Sequence, residues 1–239
     1  MFAGPNGSGK SRIKSLLRPE LLGLYINPDD IERDIRQTDF FSFSPFEVEV
    51  TASEIEEFFA ASTLLQRAGF LGAARTLKSE GSELSFRGTQ VNSYFAAVLC
   101  DLLRQKLLQQ RRSFSFETVM SSPDKVELLQ RAQESGFRTY LYYIATQNPV
   151  INAERIANRV RLGGHDVPGD KIISRYFRSL GLAADAVRAS HRAFLFDNST
   201  DRPVLLAQIT DGHQVTIEKP DELPFWFQTF VLDKISSRP

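Results

Sequence analysis

The chain has 239 residues, 42% of them hydrophobic, and its 29 Lys plus Arg are balanced by 29 Asp plus Glu. That length supports one substantial core, so a single globular unit spanning 1–239 is expected, with room for a smaller subdomain. A net charge of zero excludes a whole-molecule field that would drive the chain onto nucleic acid or an anionic membrane, and any charge-driven binding has to be local.

Short apolar runs rich in β-branched and aromatic residues alternate with longer segments of helical period, which is α/β patterning. In chain order, Met1-Phe2-Ala3 is a strand candidate and residues 10–18 a helix. A second strand, Gly23 to Asn27, runs into Asn27-Pro28-Asp29-Asp30. Residues 38–110 interrupt the alternation with a Phe-rich start, Phe40 to Phe46, and helices near 51–67 and 91–110; this reads as an inserted helical cap whose aromatics belong to a core. The single cysteine, Cys100, lies in its apolar run Phe95 to Cys100, which excludes an intrachain disulfide framework and reads as a buried thiol in a reducing compartment.

Beyond the cap come strands at 113–117, 139–145 and 193–197, and helices near 123–135, 151–162, 169–180 and 183–191. Leu205 to Thr210 and His213 to Glu218 flank Asp211-Gly212, a hairpin signal, because that pair meets the positive-φ demand of a type I′ turn. The expected fold is therefore a P-loop NTPase-type parallel sheet flanked by helices, with a helical cap insertion and a C-terminal β-hairpin. No stretch approaches the ~18 apolar residues of a membrane span, and the first residues already form a motif in place of a signal peptide, so a cytoplasmic protein without a membrane partner is expected.

Gly4-Pro5-Asn6-Gly7-Ser8-Gly9-Lys10-Ser11 satisfies GxxxxGK[ST], the Walker A pattern of a nucleoside triphosphate site. Glycines let backbone N–H groups curl around phosphates, Lys10 brings positive charge to the β and γ phosphates, and the Ser11 hydroxyl is placed to coordinate Mg²⁺. The strand feeding this loop has three residues where a central strand has about five or six. Either the strand starts further upstream, or this edge is weakened.

The rest of the site has to say what the nucleotide is for. Asp29 follows the second strand, where a carboxylate is able to take a proton from an acceptor hydroxyl; the competing reading is that Asp29 or Asp30 caps the next helix. Glu117 and Thr118 end the third strand, with Glu117 a candidate for the Mg²⁺ shell or a substrate hydroxyl and Thr118 for a phosphate oxygen. Residues 151–192 hold eight Lys or Arg against four acids, and Arg155 and Arg159, spaced i, i+4, share a helix face. Facing the loop they would neutralise charge on the transferring phosphoryl group, and Gly163-Gly164 would hinge a lid over about 151–180. Solvated arginines on a surface helix are the alternative. His165 is read as orienting that lid or capping its turn, and one Cys with scattered histidines excludes a zinc motif, leaving Mg²⁺ as the metal.

Ala3 to Ser11, Ile26 to Ile31, Phe116 to Ser121, and Arg159-Val160 running into Gly163-Gly164-His165-Asp166-Val167-Pro168 with Arg175-Tyr176 beyond resemble, in that order, the zeta toxin family of P-loop kinases. The resemblance implies a kinase that uses ATP and Mg²⁺ to phosphorylate the 3′-hydroxyl of the amino sugar in UDP-N-acetylglucosamine, and an epsilon-type antitoxin as partner. Carried over by position, Lys10 and Ser11 bind phosphate and Mg²⁺, Asp29 is the base, Glu117 and Thr118 contact substrate, and Arg155 and Arg159 clamp the γ-phosphate. Two other readings stay open on the residues alone. One is a P-loop ATPase or nucleotide-dependent switch; the other is a polynucleotide 5′-hydroxyl kinase, which the ten acids against two Lys or Arg in residues 29–57 disfavour as nucleic-acid binding.

Overall fold

A computed structural model describes residues 1–164 and 167–236. In chain order its regular elements are β1 (Phe2–Ala3), α1 (Lys10–Lys14), β2 (Leu24–Ile26), α2 (Pro28–Thr38), β3 (Phe40–Ser42), α3 (Ala52–Ala60), α4 (Thr63–Arg67) and α5 (Leu71–Ala74). Then follow β4 (Lys78–Glu80), β5 (Glu83–Ser85), α6 (Ser93–Gln109), β6 (Phe114–Thr118), α7 (Asp124–Glu134) and β7 (Tyr140–Ala145). The chain continues through α8 (Pro149–Arg161), α9 (Gly169–Gly181), α10 (Ala183–Arg188), β8 (Arg192–Asp197), β9 (Val204–Thr210) and β10 (Gln214–Ile217). The chain divides into two compact units, Met1–Leu21 with Glu117–Pro239, and Leu22–Phe116.

The first unit is built on a mostly parallel sheet. Its β1 pairs in parallel with β7 on one side and with Glu117 and Thr118 of β6 on the other, and β7 pairs in parallel with β8. Although β1 is only two residues long, Phe2 and Ala3 are 1% and 0% exposed, so this short strand is central and not an edge. The Phe2 ring stacks on Tyr142 at 5.1 Å and Tyr142 on Phe194 at 4.9 Å, which carries the packing across three strands. Antiparallel β9 and β10 extend the sheet as the expected hairpin, with Asp211 at φ 50° and Gly212 at φ 73° in the turn. Helix α8 starts at Pro149 because the Asn148 side chain accepts from the Val150 N–H at 2.9 Å, an N-cap followed by proline in the first turn. Its apolar stripe buries Ile156 against Ile172 of α9.

In the second unit, β2 pairs in parallel with Phe114 to Phe116 of β6, and α6 supplies a long buried face including Phe95, Leu99 and Leu103. The expected helical cap is only partly helical: β3, β5 and β4 form a three-stranded antiparallel sheet, turned between β4 and β5 at Gly81 with φ 58°. The helix anticipated over 51–67 is two, because Ser62 caps a new start by accepting from the Leu65 N–H at 3.3 Å. The aromatics do go to the core: Phe43 is fully buried, and Phe59, Phe70 and Phe86 surround Phe95. Cys100 is buried, as expected.

Candidate active site

The loop Gly4 to Ser11 leaves β1 and enters α1, as the pattern demands. Gly4, Gly7 and Gly9 all take positive φ, at 143°, 76° and 92°. Space matters as much as torsion. A Cβ on Gly4 would lie 1.9 Å from the Ile144 carbonyl oxygen, one on Gly7 2.6 Å from the Asn152 carbonyl oxygen, and one on Gly9 2.2 Å from Asn198 Nδ2. The loop is therefore pressed against a shelf made by the end of β7, the first turn of α8 and the residue after β8. Only a chain without side chains at these positions fits that closely.

Two asparagines hold the loop to the shelf. Asn152, fully buried, donates from Nδ2 to the Asn6 carbonyl at 2.6 Å, while its Oδ1 accepts from the Thr146 hydroxyl. Asn198, 2% exposed, donates from Nδ2 to the Ser8 carbonyl at 2.7 Å. Tyr176 of α9 reaches the Thr146 carbonyl at 2.6 Å, and burial, then the Asp197 charge, push its phenol up to about 12. Of the five buried polar side-chain atoms without a hydrogen-bond partner among the described residues, three are Asn6 Oδ1, Ser8 Oγ and Asn198 Oδ1 at this loop. Buried polar groups are ordinarily partnered, so these three are open to a bound group.

Lys10 Nζ lies over the loop, donating to the Gly4 carbonyl at 2.9 Å and the Pro5 carbonyl at 3.1 Å. Ser11 Oγ donates to Glu117 Oε2 at 3.3 Å, so β6 brings a carboxylate to the hydroxyl that the motif assigns to metal. A hydroxyl and a carboxylate are hard oxygen donors of the kind Mg²⁺ takes alongside phosphate and water. No group of three or more His, Cys, Asp or Glu ligands occurs among the described residues. Thr118 turns its hydroxyl to the backbone, accepting from the Met120 N–H at 3.0 Å.

The two sequence-selected arginines part ways. Arg155, read from the sequence as facing the phosphates, donates from Nη1 to the Asn198 carbonyl at 2.7 Å and from Nη2 to the Thr200 carbonyl at 3.1 Å. Arg159 sits where α8 ends, its Cγ so near Gly164 that a Cβ there would be 2.6 Å away. Gly163, at φ 84°, ends the helix, with the Gly164 N–H bonded to the Arg159 carbonyl at 2.9 Å. His165 and Asp166 lie outside the described residues.

Asp29 belongs to the second unit. It is exposed in the first turn of α2, whose cap is Asn27: the Asn27 side chain accepts from the Asp29 N–H at 3.0 Å, so neither Asp29 nor Asp30 is the cap. Asp30 instead pairs with Arg33 at 2.8 Å.

A glycine loop between a parallel strand and a helix, with a lysine folded over it and a Ser–Glu pair beside it, defines an α/β protein of the P-loop type. The family model described as Zeta toxin matches residues 85–200, which bears out the resemblance for that stretch; the match takes in Glu117, Thr118, Asn152, Arg155, Arg159 and Asn198 but stops short of the loop. A Haemophilus influenzae protein described only as uncharacterized is 33% identical over 69 residues, 29% of this chain and 49% of that one. Crystal structures of the AvrRxo1-ORF1:AvrRxo1-ORF2 complex share the fold. The one with sulphate ions superposes with a TM-score of 0.53 at 17% identity, covering 92% of this chain and 60% of that one. The one with ATP gives 0.53 at 16%, covering 91% and 60%. The matched stretch thus spans about half of the curated relative, and the chain about 60% of these structural neighbours. No helix among the described residues is long and apolar enough to cross a membrane.

Proposed function

We propose that the protein is a kinase that transfers the γ-phosphoryl group of ATP to a hydroxyl of a small molecule. The observation that carries this is the Gly4–Ser11 loop, shelved at three glycines and overlaid by Lys10. The zeta toxin match and the ATP complex of the AvrRxo1 neighbour support the same reading. In it the loop N–H groups and Lys10 hold the phosphates, Ser11 and Glu117 hold Mg²⁺, and Arg159 and Thr118 reach the phosphoryl group or the acceptor. Mg²⁺ held by Ser11 and Glu117 would supply positive charge against the charge of the phosphates. Asp29 takes the proton of the acceptor hydroxyl, whose oxygen bonds to the γ-phosphorus as the bond to the ADP oxygen breaks; this role rests on its place in Asn27-Pro28-Asp29-Asp30 and on the family resemblance.

The acceptor we propose is the 3′-hydroxyl of the amino sugar of UDP-N-acetylglucosamine or a related sugar nucleotide, and the setting is cytoplasmic. A two-chain complex in the structural neighbours supports an antitoxin-type protein partner for this chain as well. Purified protein with ATP, Mg²⁺ and UDP-N-acetylglucosamine is expected to yield a singly phosphorylated sugar nucleotide by mass spectrometry, with none from Lys10→Ala. Asp29→Asn is expected to abolish turnover while ATP binding persists. Full turnover in Asp29→Asn removes the base assignment. ATP consumption with no phosphorylated acceptor in a whole metabolite extract removes the kinase reading.

A further inference from the structure

We propose that Asn152, Arg155 and Asn198 are positioning residues that set the shape of the phosphate loop, and that Arg155 is not a phosphate clamp. This rests on the nucleotide-binding reading above. Helix α8 reaches the loop by two struts. The first is direct: Asn152 Nδ2 to the Asn6 carbonyl at 2.6 Å, with the other end of the amide held by the Thr146 hydroxyl, so that both polar ends of the side chain are committed. The second is relayed. Arg155, three residues along the same helix, forks to the carbonyls of Asn198 and Thr200, and Asn198 in turn donates to the Ser8 carbonyl at 2.7 Å.

The two loop carbonyls held this way are those of Asn6 and Ser8. A peptide unit is planar and trans, so its C=O and the following N–H point in opposite directions. Drawing the Asn6 carbonyl towards α8 therefore turns the Gly7 N–H away from the shelf, and drawing the Ser8 carbonyl towards Asn198 does the same for the Gly9 N–H. These are two of the donors a phosphate cradle needs. The struts aim the donors, and the glycines allow the close approach that the struts require. Arg155 spends both terminal nitrogens on the turn after β8 and contributes to nucleotide binding through that turn.

A clamp on the γ-phosphate and a loop-shaping residue differ in what they discriminate. The clamp acts on ATP alone, whereas loop shape acts on phosphates that ATP and ADP share. Titration calorimetry of wild type, Arg155→Met, Arg155→Lys, Asn152→Leu and Asn198→Leu with MgATP and MgADP decides between them. Arg155→Met is expected to weaken ATP and ADP by the same factor, about tenfold, as loss of a charge-assisted bond to a carbonyl implies. Arg155→Lys, unable to fork to two carbonyls, is expected to recover only part, and each asparagine variant to weaken both nucleotides together. Loss of ATP affinity with ADP affinity unchanged overturns the proposal and makes Arg155 the clamp; unchanged affinity for both overturns it outright. Should a buried asparagine variant fail to fold, the half-exposed Arg155 pair decides alone. Lys10→Ala separates the two levels: if wild type binds neither nucleotide the nucleotide reading falls and this proposal with it. If Lys10→Ala loses binding and the strut variants keep it, only the struts fall.

Discussion

Gly7 and Gly163 ask the same of the backbone and differ in what surrounds them, so alanine at each isolates the close approach of loop and shelf. Their φ values are 76° and 84°. An alanine at either costs about 1–2 kcal/mol for the left-handed conformation. At Gly163 no atom of the described residues lies within 4 Å of the new Cβ, and the cost ends there. At Gly7 the Cβ meets the Asn152 carbonyl oxygen at 2.6 Å and the Asn152 carbonyl carbon and Cα at 3.1 Å, all helix backbone that has no rotamer to escape into. The loop has to lift by roughly half an ångström to regain ordinary contact, which stretches the 2.6 Å bond from Asn152 to the Asn6 carbonyl and adds about 1 kcal/mol. Urea denaturation followed by the single tryptophan, Trp226, reads the unit that holds both sites. We expect Gly7→Ala to lose about 2–3 kcal/mol and its ATP binding, and Gly163→Ala to lose about 1–2 kcal/mol and bind ATP as wild type does. Equal losses, or unaltered ATP binding in Gly7→Ala, would refute the contact between loop and α8.

The same unit offers a test away from the loop. Trp226 Nε1 donates to Asp197 Oδ2 at 2.8 Å with both residues buried, so Trp226→Phe leaves a buried carboxylate oxygen short of a donor and is expected to cost about 1–3 kcal/mol by circular dichroism melts. An unchanged melting point would show that the oxygen is solvated. In the second unit, the Lys106 ammonium, then the Thr51 N–H, hold the Glu54 carboxyl down from 4.5 to about 2. A depressed carboxylate stabilises the fold above its unfolded value and loses that contribution as pH falls through the folded one, so this pair is intact at pH 4.5 and dissolves towards pH 2. NMR titration of Glu54 is expected to show that low midpoint and a rise towards the ordinary range in Lys106→Met, incomplete because the Thr51 N–H remains; a midpoint near 4.5 in the wild type contradicts the contact.

Features legible in the sequence are those that one local window encodes. The parallel strands are specified by short apolar runs, the phosphate loop by the GxxxxGK[ST] spacing and the Asp211-Gly212 hairpin by a turn dipeptide, and each appears where that pattern sits. A helix after Asp29 was legible as the alternative to a catalytic role, but its cap is Asn27 and not Asp29 or Asp30, and Asn27 followed by Pro28 is the local signal for that start. The small sheet of the second unit escaped because its strands have three residues each, too few to display alternation. The asparagine struts lie 146 and 190 residues from the carbonyls they hold, a distance bridged only by the crossovers of a parallel sheet. One signal was present: Asn152 and Ile156 share the buried face of α8 at i, i+4, and a polar residue on an apolar stripe needs a partner.

The i, i+4 spacing of Arg155 and Arg159 was sound as geometry and incomplete as a functional argument, because a shared helix face does not mean a shared neighbour. Arg155 sits level with the turn after β8 and binds its carbonyls, while Arg159 sits at the end of the helix, where Gly163 and Gly164 bend the chain. The same facts bear on the lid expected over about 151–180. If α8 swung away from the loop, the Asn152 bond to Asn6 and the Arg155 fork would break on every cycle, and the buried Asn152 amide would lose its partners. The α8 residues up to Arg155 are thus tied by hydrogen bonds to the Gly4–Ser11 loop and to the turn after β8. The packing of Ile156 on Ile172 ties α9 to the same helix.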